Sequence, residues 1–167
     1  MYRSLKPSCV IAGIILSAFS ISSFAQQSAE DIIKEEVALA YDQYVSFQED
    51  SRPDRVANEI YSPPSYSING RQVELWSTET DVESAIGAIG KFFEADGFDH
   101  IETKQLSICV MNQNSALLST IADYKRSDGS TLLENFAGTY LFSKVSEDWK
   151  ILAFIGHSPN KAIQCSE

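Results

Sequence analysis

The sequence contains no nucleophile elbow, no Gly-rich phosphate loop, no HExxH and no CxxC. Each absence removes one chemistry: the serine hydrolase turn, the nucleotide cradle, the zinc-protease helix and the paired-thiol metal or redox site. Basic residues are few, 13 Lys and Arg against 23 Asp and Glu, for a net charge of −10. Such a chain repels phosphate backbones and anionic lipid heads, so neither nucleic acid nor a membrane surface is an expected partner. Only two histidines occur, His100 and His157, and neither has metal-ligand spacing; His100 reads as a surface loop residue. No cofactor is expected. After residue 26 there is no repeat, no low-complexity tract and no second long apolar run.

At the start, Arg3 and Lys6 precede an apolar run from Cys9 to Phe19 and then Ser23-Phe24-Ala25. A charged start, a short apolar stretch and a small-x-small site read as a secretory signal peptide. The run is too short to span a bilayer comfortably. Cleavage is expected after Ala25, with export to the periplasm or the exterior. Residues 26–158 then form one domain and 159–167 a tail. Losing Arg3 and Lys6 takes the net charge from −10 to −12. A hydrophobic content of 44% argues against a disordered chain. Cys109 and Cys165 remain after cleavage; an oxidising compartment favours a disulfide, and two free thiols are the alternative.

Ser28 can cap a helix running to about Glu49, with Ile33, Val37, Ala40, Tyr41 and Tyr44 on one stripe. Pro53 suits the first turn of a second helix, buried through Val56, Ala57, Ile60 and Tyr61 and stopped by Pro63-Pro64. In "SYSINGRQVELW", Asn69-Gly70 suits a tight hairpin turn. Thr80 with Glu83 reads as the capping box of a third helix, with Val82, Ile86, Ile89 and Phe93 inward and Gly97 at its end. Four strand-like runs follow, Ile101–Met111, Ser115–Arg126, Thr131–Lys144 and Trp149–His157. The order predicts an α+β domain, three helices packed in the concavity of a bent antiparallel meander.

The turns set the faces of that sheet. A two-residue turn at Asp128-Gly129 pairs Ser127 with Ser130 and puts Ile121 opposite Phe136, Leu117 opposite Tyr140 and Asp123 opposite Glu134. A four-residue loop, Val145–Asp148, pairs Lys144 with Trp149, Phe142 with Ile151 and Tyr140 with Ala153, and sets His157 beside Phe136. Val110, Ile108 and Leu106 join this inner face. The other face carries Leu118, Ala122, Tyr124, Leu133, Ala137, Leu141, Leu152 and Phe154, too apolar for open water, and a homodimer through it is expected. Cys109 lies on that second face. Eight residues of tail reach ~26 Å, and three strands span ~14 Å, so a bridge to Cys165 is feasible.

The layout of helix, helix, hairpin, helix and meander resembles the nuclear transport factor 2-like superfamily, which includes ketosteroid isomerases and SnoaL-like cyclases. So do "AYDQYVSF", "ANEIYSPPSYSING", "RSDGSTLLENFAGTYLFSK" and "WKILAFI", over about residues 30–158. The resemblance implies a cone with an apolar pocket and frequent dimers through the sheet. Against the isomerases, Tyr44, or Tyr41 one turn earlier, takes the place of the catalytic tyrosine. Asn69 falls where the family base stands, and Gly138 where its strand acid stands. An amide cannot take a proton at neutral pH, so two of three catalytic groups are missing.

Two clusters are candidates for function. His157, Asp123 and Glu134 could share protons with Tyr44, or form a solvated charge row with Lys104. Tyr41, Tyr44, Phe136 and Tyr140, with Asn69, Trp76 and Ile155, could line a ligand pocket, or be plain core. The expected function is an exported domain that holds a small apolar molecule with weak or no catalysis. A cofactor-free isomerase, dehydratase or hydrolase is the second reading, and an interaction module with a filled pocket the third.

Overall fold

The computed structural model describes residues 27–165. The expected signal peptide lies outside the described residues.

The first helix, α1 (Ala29–Glu49), starts where Ser28 and Asp31 cap each other: Ser28 Oγ accepts the Asp31 N–H at 3.1 Å, and the Asp31 carboxylate accepts the Ser28 N–H. Val37, Tyr41, Tyr44 and Phe47 form its buried stripe. A short α2 (Pro53–Arg55) continues as a π-helical turn, Val56–Ile60, whose Val56, Ala57 and Ile60 are buried. The prolines do not end this helix. Ile60 does, and Pro63-Pro64 sit inside β1 (Tyr61–Asn69), where pairing with β6 lapses between Tyr61 and Tyr66. Proline has no N–H to give a ladder. The turn to β2 (Gln72–Trp76) is Gly70-Arg71, one residue later than expected, because Asn69 itself pairs with Gln72. The third helix, α3 (Glu79–Ala95), begins two residues before the expected box: Thr78 caps Asp81, and Thr80 and Glu83 lie inside the helix.

β3 (Phe98–Asn112), β4 (Ser115–Arg126), β5 (Thr131–Val145) and β6 (Asp148–His157) form the meander. The hairpin joins it through a parallel β1–β6 pairing, giving one six-stranded mixed sheet ordered β2-β1-β6-β5-β4-β3. The fold is α+β, with helices on the inner face of a curved sheet. Ile60, Val82, Leu118, Phe142 and Ile151 are at most 1% exposed and mark the core between the layers.

The sheet's faces differ from expectation because of three bulges, two in β5 and one in β6. The β4–β5 loop holds three residues, Ser127 to Gly129, because Arg126 N–H bonds Ser130 O at 2.9 Å. Gly129 takes the left-handed place such a loop requires, φ 82°. Extra β5 residues follow at Leu132 and at Glu134-Asn135, where Asn135 turns left-handed, φ 52°. The net slip is odd, so β4 is flipped. Ile121 pairs with Ala137, Leu117 with Leu141, and Leu118 with Tyr140. Leu118, Ala122 and Tyr124 face the helices, whereas Ile121 and Asp123 face outward. Beyond Phe142–Ile151, which pairs as expected, an extra β6 residue at Leu152 sets Tyr140 opposite Phe154 and Ala137 opposite His157. Phe154 therefore points inward, and Ile155 and His157 outward. Leu118, Ala122, Tyr124 and Phe154, expected on the outer face, are core or cavity residues.

The tail crosses that outer face. Cys109 and Cys165 form a disulfide with Cα atoms 5.5 Å apart. Between its ends, Ile163 N–H donates to Ser119 Oγ at 3.0 Å.

Candidate functional site

Two glycines sit side by side on the inner face, Gly138 of β5 opposite Gly156 of β6. A Cβ on Gly138 would stand 2.3 Å from Phe154 Cε2, so the Phe154 ring lies flat in the space a side chain would fill. Above them is a cavity of about 420 Å³, within the range of small-molecule sites. Its walls are aromatic. Tyr44 and Gln48 come from α1, Tyr61, Ser67, Asn69 and Trp76 from the β1–β2 hairpin. Tyr124, Phe136, Tyr140 and Phe154 come from the meander, and α3 closes the side with Ile86, Ile89, Phe92 and Phe93. The rings touch in sequence: Trp76–Tyr61 at 5.4 Å, Tyr61–Tyr44 at 6.2 Å, Tyr44–Tyr140 at 5.6 Å, Tyr140–Phe154 at 5.0 Å and Phe154 stacked on Phe136 at 6.0 Å.

Polar groups in this wall are all uncharged. The described residues lining the cavity include no carboxylate, histidine, lysine or arginine. Burial raises the phenols of Tyr44, Tyr61, Tyr124 and Tyr140 well above the ordinary tyrosine value. They stay protonated and offer O–H donors. The Tyr44 hydroxyl neighbours those of Tyr140 and Tyr61 and the Gln48 amide.

Tyr44, Asn69, Trp76, Phe136 and Tyr140 thus meet around one cavity. Tyr41 lies behind this wall, its ring 5.5 Å from Tyr140 and its hydroxyl near Thr120 and Thr103. Ile155 is on the other side of the sheet, 41% exposed, because of the bulge at Leu152. Sequence reasoning missed Tyr61, Tyr124 and Phe154. Tyr61 was assigned to the end of a helix, and the other two lie past bulges that reverse their side.

The acidic cluster with His157 does not assemble in the cavity. Asp123 is on the outer face, accepting the Asn135 N–H at 2.8 Å and flanked by Lys104 at 2.6 Å and Lys125 at 3.3 Å. Glu134 is exposed. His157 Nδ1 donates to Ser158 O at 3.0 Å, and its Nε2 lies 2.9 Å from Thr139 Oγ1, which is 3.1 Å from Ser119 Oγ. Nothing links His157 to Asp123 or Glu134. Among the described residues no three His, Cys, Asp or Glu side chains gather as a metal site.

The Asn135 N–H, then Lys104 and Lys125, hold the Asp123 carboxyl down at about 2. A depressed carboxyl stabilises the fold above its unfolded value near 3.8 and loses that effect as pH falls toward 2. Urea midpoints measured from pH 5 to pH 2 should therefore fall more steeply for the wild type than for Asp123→Asn. Parallel curves would remove Asp123 from the acid response.

The family described as NTF2-like protein (DUF6841) matches residues 34–159. No curated protein matches the sequence. Among solved structures, Aln2 from a Streptomyces species superposes with a TM-score of 0.62 at 12% identity, covering 77% of this chain and 92% of that one. An NTF2-like protein with a cystatin-like fold from Novosphingobium aromaticivorans gives 0.61 at 12% identity, covering 77% and 82%. A candidate dehydratase of the NTF2-like family from Streptomyces avermitilis gives 0.60 at 15% identity, covering 77% and 97%. Likeness at these identities concerns the fold.

Proposed function

We propose that this chain, which belongs to the NTF2-like family DUF6841, binds a small, uncharged, largely apolar molecule in its cone and does little or no chemistry on it. One observation carries the reading: an aromatic cavity of about 420 Å³ whose polar groups, among the described residues, are neutral donors and amides. A charged ligand would enter without a counter-charge, which is costly. An isomerase or dehydratase needs a group that takes a proton near neutral pH. Buried phenols with raised pKa values cannot do so, and the Asn69 amide has no such capacity. The tyrosines instead suit a ligand with a carbonyl or hydroxyl oxygen on an apolar frame. The Cys109–Cys165 bridge supports work in an oxidising compartment.

Calorimetric titration with 2-naphthol and naphthalene tests this. Both should bind one to one with a negative heat-capacity change, as apolar burial requires. Tyr44→Phe and Tyr140→Phe should each weaken 2-naphthol by about 2- to 10-fold, the worth of one hydrogen bond, and leave naphthalene unchanged. Equal weakening of both ligands would mean the hydroxyls do not read the oxygen. Absence of saturable binding by either would remove the binding function.

A further inference from the structure

A second cavity, of about 150 Å³, lies on the other side of α3, against the end of α1 and the start of α2. Its floor is apolar, with Phe47, Pro53 and Phe98. Gln48, Ile86, Ile89, Phe93 and Tyr124 line both cavities. The two spaces are therefore separated there by side chains, which change rotamer, and not by backbone alone.

The second half of α3 is built thinly at this wall. Its buried residues, Val82 and Ile86, both lie in the first half. After them Ile89 is 46% and Phe92 67% exposed. Gly87 and Gly90 give the lateral side no side chain, and nothing lies within 4 Å of where a Gly90 Cβ would stand. Two glycines within four residues cost a helix stability; here they leave room.

Charge on the lateral rim is balanced. Arg52 is held by Asp54 through two hydrogen bonds, at 3.0 and 2.8 Å. Lys91 and Glu94 stand on the same rim. Among the described residues no net charge there recruits an ionic head group, and those lining the cone offer none either.

We propose that the cone and the lateral cavity form one elongated site for a linear, uncharged molecule, a single alkyl chain ending in a hydroxyl or carbonyl. The oxygen sits at the Tyr44 and Tyr140 hydroxyls, and the chain passes between Ile89 and Phe93 into the lateral cavity. This rests on the binding reading above and adds to it the shape of the ligand and a second compartment. A ligand confined to the cone would gain nothing from extra length, whereas a chain that crosses the partition keeps burying methylenes.

The test is a chain-length ladder of n-alkanols and 2-alkanones, titrated against wild type, Gly90→Leu and Gly87→Ala/Gly90→Leu. Wild-type affinity should rise about fourfold for each added methylene, from a transfer gain of about 0.8 kcal/mol, past the length that fills the cone. Both variants should stop that rise early and weaken the longest chains at least tenfold. Their binding of 2-naphthol should not change, and their melting temperatures should not fall, since both replace helix glycines with better helix formers. Fatty acids of the same length should bind more weakly than the alcohols. If wild type and variants show the same plateau, the elongated site is wrong while the cone reading stands; if the acids bind as well as the alcohols, the uncharged-ligand reading of the cone falls as well. If 2-naphthol itself does not bind the wild type, both readings fall.

Discussion

Replacing both Cys109 and Cys165 with serine should lower the melting temperature by about 10 °C. The bridge joins residues 56 apart and encloses β4, β5 and β6. A loop of that length restricts the unfolded chain by about 4 kcal/mol in the chain-entropy view, and measured losses run at about 2–5 kcal/mol. For a domain of this size each kilocalorie is worth about 2–4 °C. The same change frees the tail, so Ile163 no longer holds Ser119 Oγ. The effect should be confined to stability. The bridge lies on the outer face and the cavity on the inner one, so 2-naphthol affinity well below the transition should not move. Calorimetry of the double variant checks the first part, and reductant added to wild type should reproduce it. A shift below about 2 °C would mean that the bridge closes a loop already restricted without it.

Gly138→Ala should be the most damaging single methyl group on the inner face. It would stand 2.3 Å from Phe154 Cε2 and 3.0 Å from Cζ. The Phe154 ring cannot step aside freely, because it stacks on Phe136 and meets Tyr140 at 5.0 Å. Its way out is into the cavity. The expected outcome is a loss of about 1–3 kcal/mol of stability, as for overpacked cores, together with at least a tenfold loss of 2-naphthol affinity. Gly156→Ala is the control. Its methyl would meet Asn69 Oδ1 at 2.0 Å, but Asn69 is exposed at the cavity mouth and its amide can swing away. That change should cost about 0.5 kcal/mol or less. Urea denaturation and titration of the pair give both numbers. Equal effects would mean that the Phe154 ring is not held in place.

The helices and the order of the four meander strands were legible because their signals are redundant. Ile33, Val37, Tyr41 and Tyr44 repeat at helical spacing, and no single residue can move Tyr44 off that stripe. Asn69 and Trp76 sit at opposite ends of a hairpin whose strands are short, so a turn misplaced by one residue still left both at the cavity. The long strands offer no such protection. Their side chains alternate, and one extra residue reverses everything beyond it. At Asn135 a trace of the bulge is present in the sequence, since asparagine accepts a left-handed backbone more readily than most residues. At Leu152 there is none: a leucine among Ile151, Ala153 and Phe154 looks like continuous strand. Asp123, Ile155 and His157 were assigned to the wrong face for this reason, and the proposed proton-sharing cluster went with them. Phe154 was missed by the same slip. The lateral cavity had no signal in a single sequence beyond Gly87 and Gly90, which read as ordinary helix positions.

The direct test of a ligand-holding cone is a crystal structure of the protein with 6-bromo-2-naphthol, located by the anomalous scattering of its bromine. The account expects one bromine peak inside the cavity bounded by Trp76, Phe136 and Phe154, with the naphthol oxygen toward Tyr44 and Tyr140. A bromine peak only on the outer sheet face, or a cavity filled by Phe92 and Phe93 with no ligand in it, would contradict it.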